Sequence, residues 1–424
     1  MRSFLLNKKL LILGANSETI PLVETAKSLG AITYVADYNP DAPAKKVADV
    51  ACDIDCMDID ALEELCKKKK IDGAMVGVAD SLVKIYAKLC KKLNYPCYAT
   101  PNQAEILSNK KLFNDECRKF DISTIPNYQV ELDNFDEDEK RVTYPLLIKP
   151  VDGNSGLGMS ICYDKNELLE GIKKAINASK SKRYLVEKYM ECDDIFLNFT
   201  FINGKYYLTA IANRYTIKQG NNVSRVCVGA IYSDKYFELY KKTLEDKLFK
   251  LFEHLGLKDG VLMISAFVEN DTIHLYDPGF RLQGEAPDIH IARATGFDQK
   301  EFLIKFALGV GYGSPTDQID KLIAGDKTYA TIWILLKEGR IVKIDGLEEL
   351  IPNGFAYYVS QRLYVGDAVD NTMIGTERQV FARIYIEEID SDIDFSAILK
   401  IQQKMLIVDE DFSKMIISLN KDER

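Results

Sequence analysis

The stretch Tyr144-Pro145-Leu146-Leu147-Ile148-Lys149-Pro150-Val151-Asp152-Gly153-Asn154-Ser155-Gly156-Leu157-Gly158-Met159 decides how the rest of the chain is interpreted. Its short apolar run predicts a buried strand that ends in one lysine, Lys149. In the loop that follows, glycines let backbone N–H groups approach and surround an anion. A strand lysine that feeds such a loop favours polyphosphate binding, although the loop alone is also compatible with a plain hairpin. It is not a Walker loop, because the lysine precedes the glycines.

Composition excludes several classes of protein. The chain has 424 residues, 47% of them hydrophobic, and a net charge of −9. This length predicts roughly two to four structural units, and the negative charge argues against a nucleic-acid-binding protein. No apolar run approaches the roughly 20 residues of a membrane span, and the amino terminus lacks a signal-peptide pattern. Nine scattered cysteines without a framework favour reduced thiols in a cytoplasm.

The first 100 residues predict a small α/β domain, because buried-strand patterns alternate with helical ones. A strand over 9–14 is followed by a helix over 19–29 and a second strand over 31–36. The turn Gly14-Ala15-Asn16-Ser17 lacks the three-glycine fingerprint of dinucleotide-binding domains, which argues against a nicotinamide cofactor.

Beyond residue 100, three two-residue turns separate pairs of strand-like runs. The turns Asn203-Gly204, Asn270-Asp271 and Glu338-Gly339 each predict a hairpin between the runs on either side. Helical patterns predict one helix over 104–120 and another over 237–255.

The order of these elements, with Lys149 and its loop in the middle, resembles that of the ATP-grasp ligases. The similarity is to the branch of carboxylate–amine ligases, biotin carboxylases and carbamoyl-phosphate synthases, and it covers nearly the whole chain. It implies a mixed α/β and α+β fold that begins with a doubly wound parallel-sheet domain over 1–100. An ATP-grasp domain of two α+β subdomains would follow over 101–325, with 125–190 as the smaller ATP-lid subdomain. A small β-rich domain would end the chain over 326–424.

The same resemblance implies a set of site residues. Lys149 would contact the ATP phosphates and act in catalysis with Arg281, which would hold the carboxylate and the acyl phosphate made from it. Asp277 falls on the position of a magnesium carboxylate. The other expected nucleotide-binding residues are Lys110, Gly153, Asn154, Ser155, Gly156, Gly158, Met159, Glu187, Lys188, Tyr189, Met190 and Asp194.

The roles expected of these residues agree with their chemistry. Lys110, with Lys111 as a neighbouring candidate, would hold phosphate, and residues 187–190 would read the adenine edge as a hinge. Asp194 would contact the ribose. Magnesium takes oxygen ligands, usually one or two protein carboxylates, and the planar fork of arginine suits a carboxylate.

Two departures from the family's pattern lie beside the expected metal site. Ser265 stands twelve residues before Asp277, where the family commonly has a glutamate, and Gly279 replaces an asparagine. Glu269 and Glu285 are the candidates for a replacement oxygen. At least one metal position is therefore expected to be weakened or built differently.

The implied function is an ATP-dependent ligase that joins a carboxylate to an amine and releases ADP and phosphate. ATP and Mg2+, or Mn2+, are the expected cofactors, and small-molecule acids and amines the expected partners, in a possible homodimer. Two alternatives stay open: bicarbonate phosphorylation, and an ATP-binding regulatory subunit with weakened turnover. Arg214 and Arg225 are candidate substrate contacts, with ordinary surface charge as the simpler interpretation.

Overall fold

The structure is a computed structural model that describes residues 5–151, 158–219, 225–233, 235–312, 323, 325–389 and 395–419. The helices are α1 (Ile20–Ser28), α2 (Ile59–Lys69), α3 (Val83–Leu93), α4 (Pro101–Ile106), α5 (Lys110–Arg118), α6 (Phe135–Asp138), α7 (Lys165–Ala178), α8 (Phe237–Thr243), α9 (Glu245–Leu255), α10 (Asp288–Thr295), α11 (Gln299–Ala307) and α12 (Phe395–Gln402). The strands are β1 (Lys9–Leu13), β2 (Ile32–Asp37), β3 (Val50–Asp53), β4 (Gly73–Val76), β5 (Asn127–Tyr128), β6 (Leu146–Pro150), β7 (Ser160–Cys162), β8 (Tyr184–Lys188), β9 (Asp193–Ile202), β10 (Lys205–Lys218), β11 (Arg225–Tyr232), β12 (Gly260–Glu269), β13 (Thr272–Gly279), β14 (Lys327–Leu335), β15 (Gly339–Arg340), β16 (Lys343–Asp345), β17 (Tyr358–Gln361), β18 (Ala368–Val369), β19 (Val380–Ile389) and β20 (Leu406–Val408).

The first sheet is parallel, with the strand order β3-β2-β1-β4. Its middle strand β1 is an almost wholly buried apolar run, as expected of a parallel strand covered on both faces. The predicted α/β fold of this region is confirmed. The edge strand β3 was not foreseen, because only one of its four residues is buried and its apolar run is only three residues long.

The central sheet has eight antiparallel strands in the order β13-β12-β9-β10-β11-β14-β19-β17. The predicted hairpins β9–β10 and β12–β13 are both present. Their turns, Asn203-Gly204 and Asn270-Asp271, have positive φ angles, which these residue types tolerate. The mixed fold class is confirmed by the parallel first sheet together with this antiparallel one.

The third predicted hairpin, around Glu338-Gly339, is wrong. Strand β14 pairs with β11 and β19, whereas β15 pairs with β18 and β16 with β20. Strands from both sides of residue 325 therefore share one sheet. The division of the chain at residues 100 and 325 stays a prediction.

A second four-stranded sheet, β5-β8-β6-β7, is called the small sheet; it carries Lys149 on β6 and packs against α7. It has a small core of its own. Among the described residues, two larger cores accompany it: one joins the first sheet to the central sheet, and the other surrounds β11, β14 and β19. In the described ranges, no helix combines the length and apolar character needed to cross a membrane.

Two helices predicted as continuous are interrupted. Residues 104–120 form α4 and α5, because Asn109 adopts an extended conformation and its side chain accepts hydrogen bonds from the N–H groups of Lys111 and Leu112. Residues 237–255 form α8 and α9, with the break at Leu244, whose backbone leaves the helical region.

Candidate active site

Lys149 and Glu187 lie on neighbouring strands of the small sheet. The lysine is near the end of β6, and Glu187 lies on β8 opposite Leu147. The ammonium group of Lys149 forms an ion pair with the Glu187 carboxylate, and the two side chains are 23% and 18% exposed. A partly buried lysine at this point provides a fixed positive charge beside the predicted hinge.

Residues 188–190 complete the predicted hinge, and two of their backbone N–H groups form hydrogen bonds within the protein. The N–H of Lys188 donates to the carbonyl of Pro126, and that of Tyr189 donates to the carbonyl of Pro145, each at 2.8 Å. Because these two donors are bonded within the protein, an adenine edge would be read by the hinge's other backbone groups. The side chain of Met190 is buried at the end of this segment.

The side chain of Lys188 links the small sheet to the central one. It forms an ion pair with Glu269, the last residue of β12, and both side chains are mostly buried. Glu269 is therefore held in a mostly buried ion pair, which does not favour it as a replacement metal ligand.

The glycine loop after Lys149 is described only at its end. Residues 153–156, with the predicted phosphate contacts, lie outside the described residues. Gly158 has a φ of +78°, and a Cβ there would lie 2.4 Å from Cβ of Ala178, so the close approach requires glycine. The carbonyl of Met159 accepts a hydrogen bond from Nζ of Lys174 at 2.9 Å.

Lys110 reaches the expected magnesium carboxylate. It is the first residue of α5, which packs against β13, and its Nζ lies 3.4 Å from Oδ1 of Asp277. Both side chains are about half exposed. Lys111, the neighbouring candidate, is also exposed, but the ion pair to Asp277 is made by Lys110.

A buried arginine, Arg214 on β10, occupies the space beside Ser265. Its Nη1 donates to Oγ of Ser265 at 3.1 Å and to Oδ1 of Asp194 at 3.3 Å. Its Nε donates to both carboxylate oxygens of Glu285, at 2.9 and 3.2 Å, and the guanidinium lies 5.0 Å from the ring centroid of Phe196. The interpretation of Arg214 as ordinary surface charge is wrong, because only 8% of its side chain is exposed. The available sequence signal was a charged residue in the interior of β10, whose other charged residues are the lysines at its two ends.

The charges of this cluster depend on one another. Burial acts to lower the pKa of Arg214, but the carboxylates of Glu285 and Asp194 outweigh it and hold that pKa well above its usual value. Burial also raises the pKa of Asp194, although Arg214 opposes the change. Tyr276 donates a hydrogen bond to Oδ1 of Asp194 at 3.2 Å. Arg225, the other candidate, is exposed and bonds to Thr216.

These residues fit one magnesium ion bound largely by phosphates, and they do not fit a second protein-held ion. Ser265 pairs directly with Asp277 across β12 and β13, and its hydroxyl accepts from Arg214. Glu285 is bonded to the same guanidinium. Within the described part of the chain, no group of three or more His, Cys, Asp or Glu residues is placed to hold a metal. Asp277 alone offers a carboxylate, which is enough where nucleotide oxygens and water complete the shell.

Arg281 follows β13, and its mostly buried guanidinium forms an ion pair with Asp80, a half-exposed residue that follows β4. Its Nη1 donates to the carbonyl of Leu282 at 2.7 Å, and its buried Nε has no hydrogen-bond partner among the described residues. A Cβ at Gly279 would lie 3.0 Å from Oδ1 of Asp80. The glycine that replaces the family's asparagine thus leaves room for this ion pair.

Arg281 and Arg214 both line a cleft of about 650 Å3. The cleft lies where the first sheet, the central sheet and the residues after 350 meet. Its lining includes the turn Asn16–Glu18, the segment Gln283–Glu285, and Arg362, Arg378 and Arg383. The structure therefore brings Lys110 and Asp277 together, and Lys149 and Glu187 together, and it places Arg281 at the edge of a cleft suited to a small molecule.

Comparison with known proteins gives a partial sequence match and a full-length structural match. A family profile described as the ATP-binding domain of the carbamoyl-phosphate synthase L chain matches residues 109–193. The formate-dependent phosphoribosylglycinamide formyltransferase of Prochlorococcus marinus is 27% identical over 224 residues, which are 52% of this chain and 53% of that protein. The chain thus spans about half the length of the curated relatives that it matches.

Solved structures resemble the whole fold. The L-amino acid ligase of Bacillus licheniformis has a TM-score of 0.74 at 17% identity, covering 95% of this chain and 99% of that one. The biotin carboxylase domain dimer of the Hydrogenobacter thermophilus 2-oxoglutarate carboxylase, solved with MgADP, ADP and bicarbonate, has a TM-score of 0.72 at 16% identity. It covers 97% of this chain and 92% of that one. At these identities the structural matches show the fold alone.

Proposed function

We propose that this chain, a member of the ATP-grasp superfamily, uses ATP to activate a carboxylate as an acyl phosphate and joins the acyl group to an amine. The observation that carries the proposal is the ion pair between Lys110 and Asp277, four residues before Arg281. It brings the lysine proposed to bind phosphate beside the carboxylate proposed to bind the metal, and Arg281, proposed to hold the acid, follows in the same segment. Phosphate, metal and acyl group would meet at this point.

The nucleotide would lie between the small sheet and the central sheet. Lys149 and Lys110 would balance the charge of the phosphates, and the hinge over 187–190 would hold the base. Asp194 forms an ion pair with Arg214 and accepts a hydrogen bond from Tyr276. The ribose would therefore share this carboxylate with both side chains. The profile match to an ATP-binding domain covers Lys110, Lys149 and the hinge, which supports ATP as the nucleotide.

Mg2+, or Mn2+, would be held by Asp277 together with phosphate oxygens. When bound, the ion supplies charge stabilisation during phosphoryl transfer. The guanidinium of Arg214 stands beside Ser265, where the family commonly has a second carboxylate, and it supplies a fixed positive charge there. One metal ion and one arginine would then together stabilise the charge that two metal ions commonly stabilise during phosphoryl transfer.

The reaction proceeds in two transfers. A carboxylate oxygen of the acid attacks the γ-phosphorus of ATP, and the bond to ADP breaks with its electron pair on the β-phosphate oxygen. The amine then attacks the carbonyl carbon, phosphate leaves with the electron pair of the broken C–O bond, and the amine loses a proton. Arg281 would hold the carboxylate and the acyl phosphate through its Nε, which has no partner among the described residues, and through the Nη2 donors that it would share with Asp80.

The experiment is ADP release by the purified chain with a panel of carboxylic acids and amines, singly and in pairs. Release that requires both an acid and an amine supports the ligase. Arg281→Lys should reduce kcat by about a hundredfold, because a point charge replaces a planar fork at the reacting group. Arg118→Lys, at a surface position with 65% of its side chain exposed, is the matched control.

One observation favours a second candidate, an ATP-binding subunit without turnover. Ser265 and Glu285 are both bonded to Arg214, so the second metal position is filled by a cation. Nucleotide binding in calorimetry without ADP release from any acid and amine pair would favour this candidate. ADP release stimulated by bicarbonate alone would instead indicate carboxylase-type chemistry. A homodimer is proposed from the dimeric carboxylase domain of the same fold.

A further inference from the structure

The cleft beside Arg281 is lined by more positive than negative side chains. Its arginines are 214, 281, 362, 378 and 383, and its carboxylates belong to glutamates 18, 285 and 377. Two of these arginines also have carboxylate partners outside the lining, because Arg281 pairs with Asp80 and Arg214 pairs with Asp194. A guanidinium group in a cleft can bind an anionic ligand where its own carboxylate partner can be displaced.

Two of these arginines, Arg362 and Arg383, form a pair at the wall made by the residues after 350. Nη2 of Arg362 lies 2.6 Å from Oε1 of Glu18, and its Nη1 lies 3.6 Å from Oε2 of Glu377. Nη2 of Arg383 lies 2.9 Å from the same Oε2 of Glu377. One carboxylate of Glu377 therefore serves two guanidinium groups.

Exposure shows which member of this group can move. The side chains of Arg362 and Arg383 are 12% and 4% exposed, whereas that of Glu377 is 55% exposed. Arg383 is also fixed by donation to the carbonyl of Gly284 and by contact with the ring of Trp333 at 5.3 Å. The arginines are held in place, and Glu377 is the partner that an incoming anion can displace.

Unused hydrogen-bonding capacity points to a ligand. Nε of Arg383, Nε of Arg281 and Oε1 of Gln283 are buried without a hydrogen-bond partner among the described residues. Burial first, and Arg383 second, lower the pKa of Arg362. An oxyanion between the two guanidinium groups would relieve this repulsion and accept a hydrogen bond from Nε of Arg383. Oε1 of Gln283 is an acceptor, so it would instead take a hydrogen bond from a donor group of the ligand.

We infer that this arginine pair binds a second oxyanion of the acid substrate, so that the enzyme acts on small acids with two anionic groups. The first group, the reacting carboxylate, would lie at Arg281, and the second, a carboxylate or a phosphate, between Arg362 and Arg383. Apolar side chains in the same cleft suit a short carbon stem between them; they are Met263, Leu363, Met373 and Val380. This inference rests on the proposed function for the identity of the reacting group.

The test is calorimetric binding to the full chain with matched probes that differ in one anionic group. Glutamate is compared with glutamine, and O-phosphoserine with serine. We expect each anionic probe to bind at least tenfold more tightly than its neutral partner. Preference for O-phosphoserine identifies phosphate as the second group, and preference for glutamate identifies a carboxylate. Equal affinities within both pairs, or no binding of any probe, overturn the inference.

Two substitutions separate recognition from structure. Arg362→Gln should weaken the anionic probes at least tenfold and leave the neutral ones unchanged, while Arg141→Gln, with 76% of its side chain exposed, should change neither. Glu377→Gln should tighten anionic probes several-fold, because it removes the competing carboxylate. A purely structural ion-pair network predicts lower stability and no gain in affinity from Glu377→Gln, and that result would overturn the assignment.

The two proposals fail in different ways. Selective binding of the anionic probes without ADP release would remove the ligase and retain the anion site. ADP release with singly charged acids at the same rate as with doubly charged ones would retain the ligase and remove the anion site.

Discussion

Among single residues, Lys149 gives the most direct test of nucleotide binding. Replacing Lys149 with glutamine removes one cation from the proposed phosphate site and removes the ion-pair partner of Glu187. A charge-assisted hydrogen bond contributes about 1.5–3 kcal/mol, so the Kd for ATP should rise by about tenfold to a hundredfold. Titration calorimetry measures this directly. Lys165→Gln, which breaks an exposed ion pair with Asp136, is the control, and an unchanged Kd in the Lys149 variant would contradict the assignment.

His290 provides a test of stability at low pH. The ring is fully buried between Oγ1 of Thr331, 2.8 Å from Nε2, and the hydroxyl of Tyr357, and burial lowers its pKa to about 3. The folded state therefore holds a neutral ring, whereas the unfolded chain takes up a proton below a pKa of about 6.5. Stability is fully present above that value and is lost as the pH falls from about 6.5 towards 3.

Between pH 7 and pH 5 this single group should cost on the order of 2 kcal/mol of unfolding free energy. Urea denaturation at the two pH values measures the change, and His290→Gln isolates it. The variant should lose less stability between pH 7 and pH 5 than the wild-type chain does. Identical losses in the two proteins would show that His290 is protonated in the folded state.

The candidate site residues, whose roles stay a prediction, could be chosen motif by motif, whereas contacts between side chains from distant strands could not be predicted from local sequence. Lys110 and Asp277 were assigned separately from their motifs, and they lie 3.4 Å apart. The role of Arg214 was missed, because its partners come from three other segments of the chain. No local pattern shows that Ser265 stands beside a guanidinium.

At the scale of secondary-structure elements, a two-residue turn predicted a hairpin correctly only where the strands on its two sides were free to pair with each other. Asn203-Gly204 and Asn270-Asp271 form the expected hairpins. The turn at Glu338-Gly339 does not, because both edges of β14 are taken by strands that are distant in sequence. A turn motif shows only that the chain reverses direction. Which strands then pair depends on the whole sheet, because other strands can already occupy both edges.

The packing of β4 against α11 depends on the absence of a side chain at Gly73. A Cβ at this position would lie 2.0 Å from the carbonyl oxygen of Ala307, at the end of α11. Gly73→Ala must push the strand and the helix apart, and overpacking of this kind costs about 1–3 kcal/mol. Urea denaturation should show a lower midpoint. Gly311→Ala, where the added methyl has nothing within 4 Å, is the matched control, and equal midpoints would show that this junction is loose.

At the scale of the whole molecule, the central sheet joins regions that the sequence resemblance separates. Strand β11 pairs with β14 through the register from Gly229↔Ile332 to Tyr232↔Tyr329, and β14 pairs with β19. The core around these strands draws buried side chains from both sides of residue 325. The cleft with the arginine pair likewise takes its lining from the first sheet, the central sheet and the residues after 350. Substrate recognition is therefore expected to depend on the intact chain.

A fragment of residues 1–325 tests whether the sheet can do without its last strands. The fragment lacks β14, β17 and β19, so the edge of β11 and the apolar side chains that now pack against β14 would be exposed. Open hydrophobic edges pair with other chains, so we expect the fragment to aggregate and to lack a cooperative unfolding transition in urea. Co-expression with residues 326–424 as a second chain should restore a stable complex, because the missing strands are then supplied in trans. A monomeric 1–325 fragment with a cooperative transition and unchanged ATP binding would show instead that the carboxy-terminal region is an independent domain.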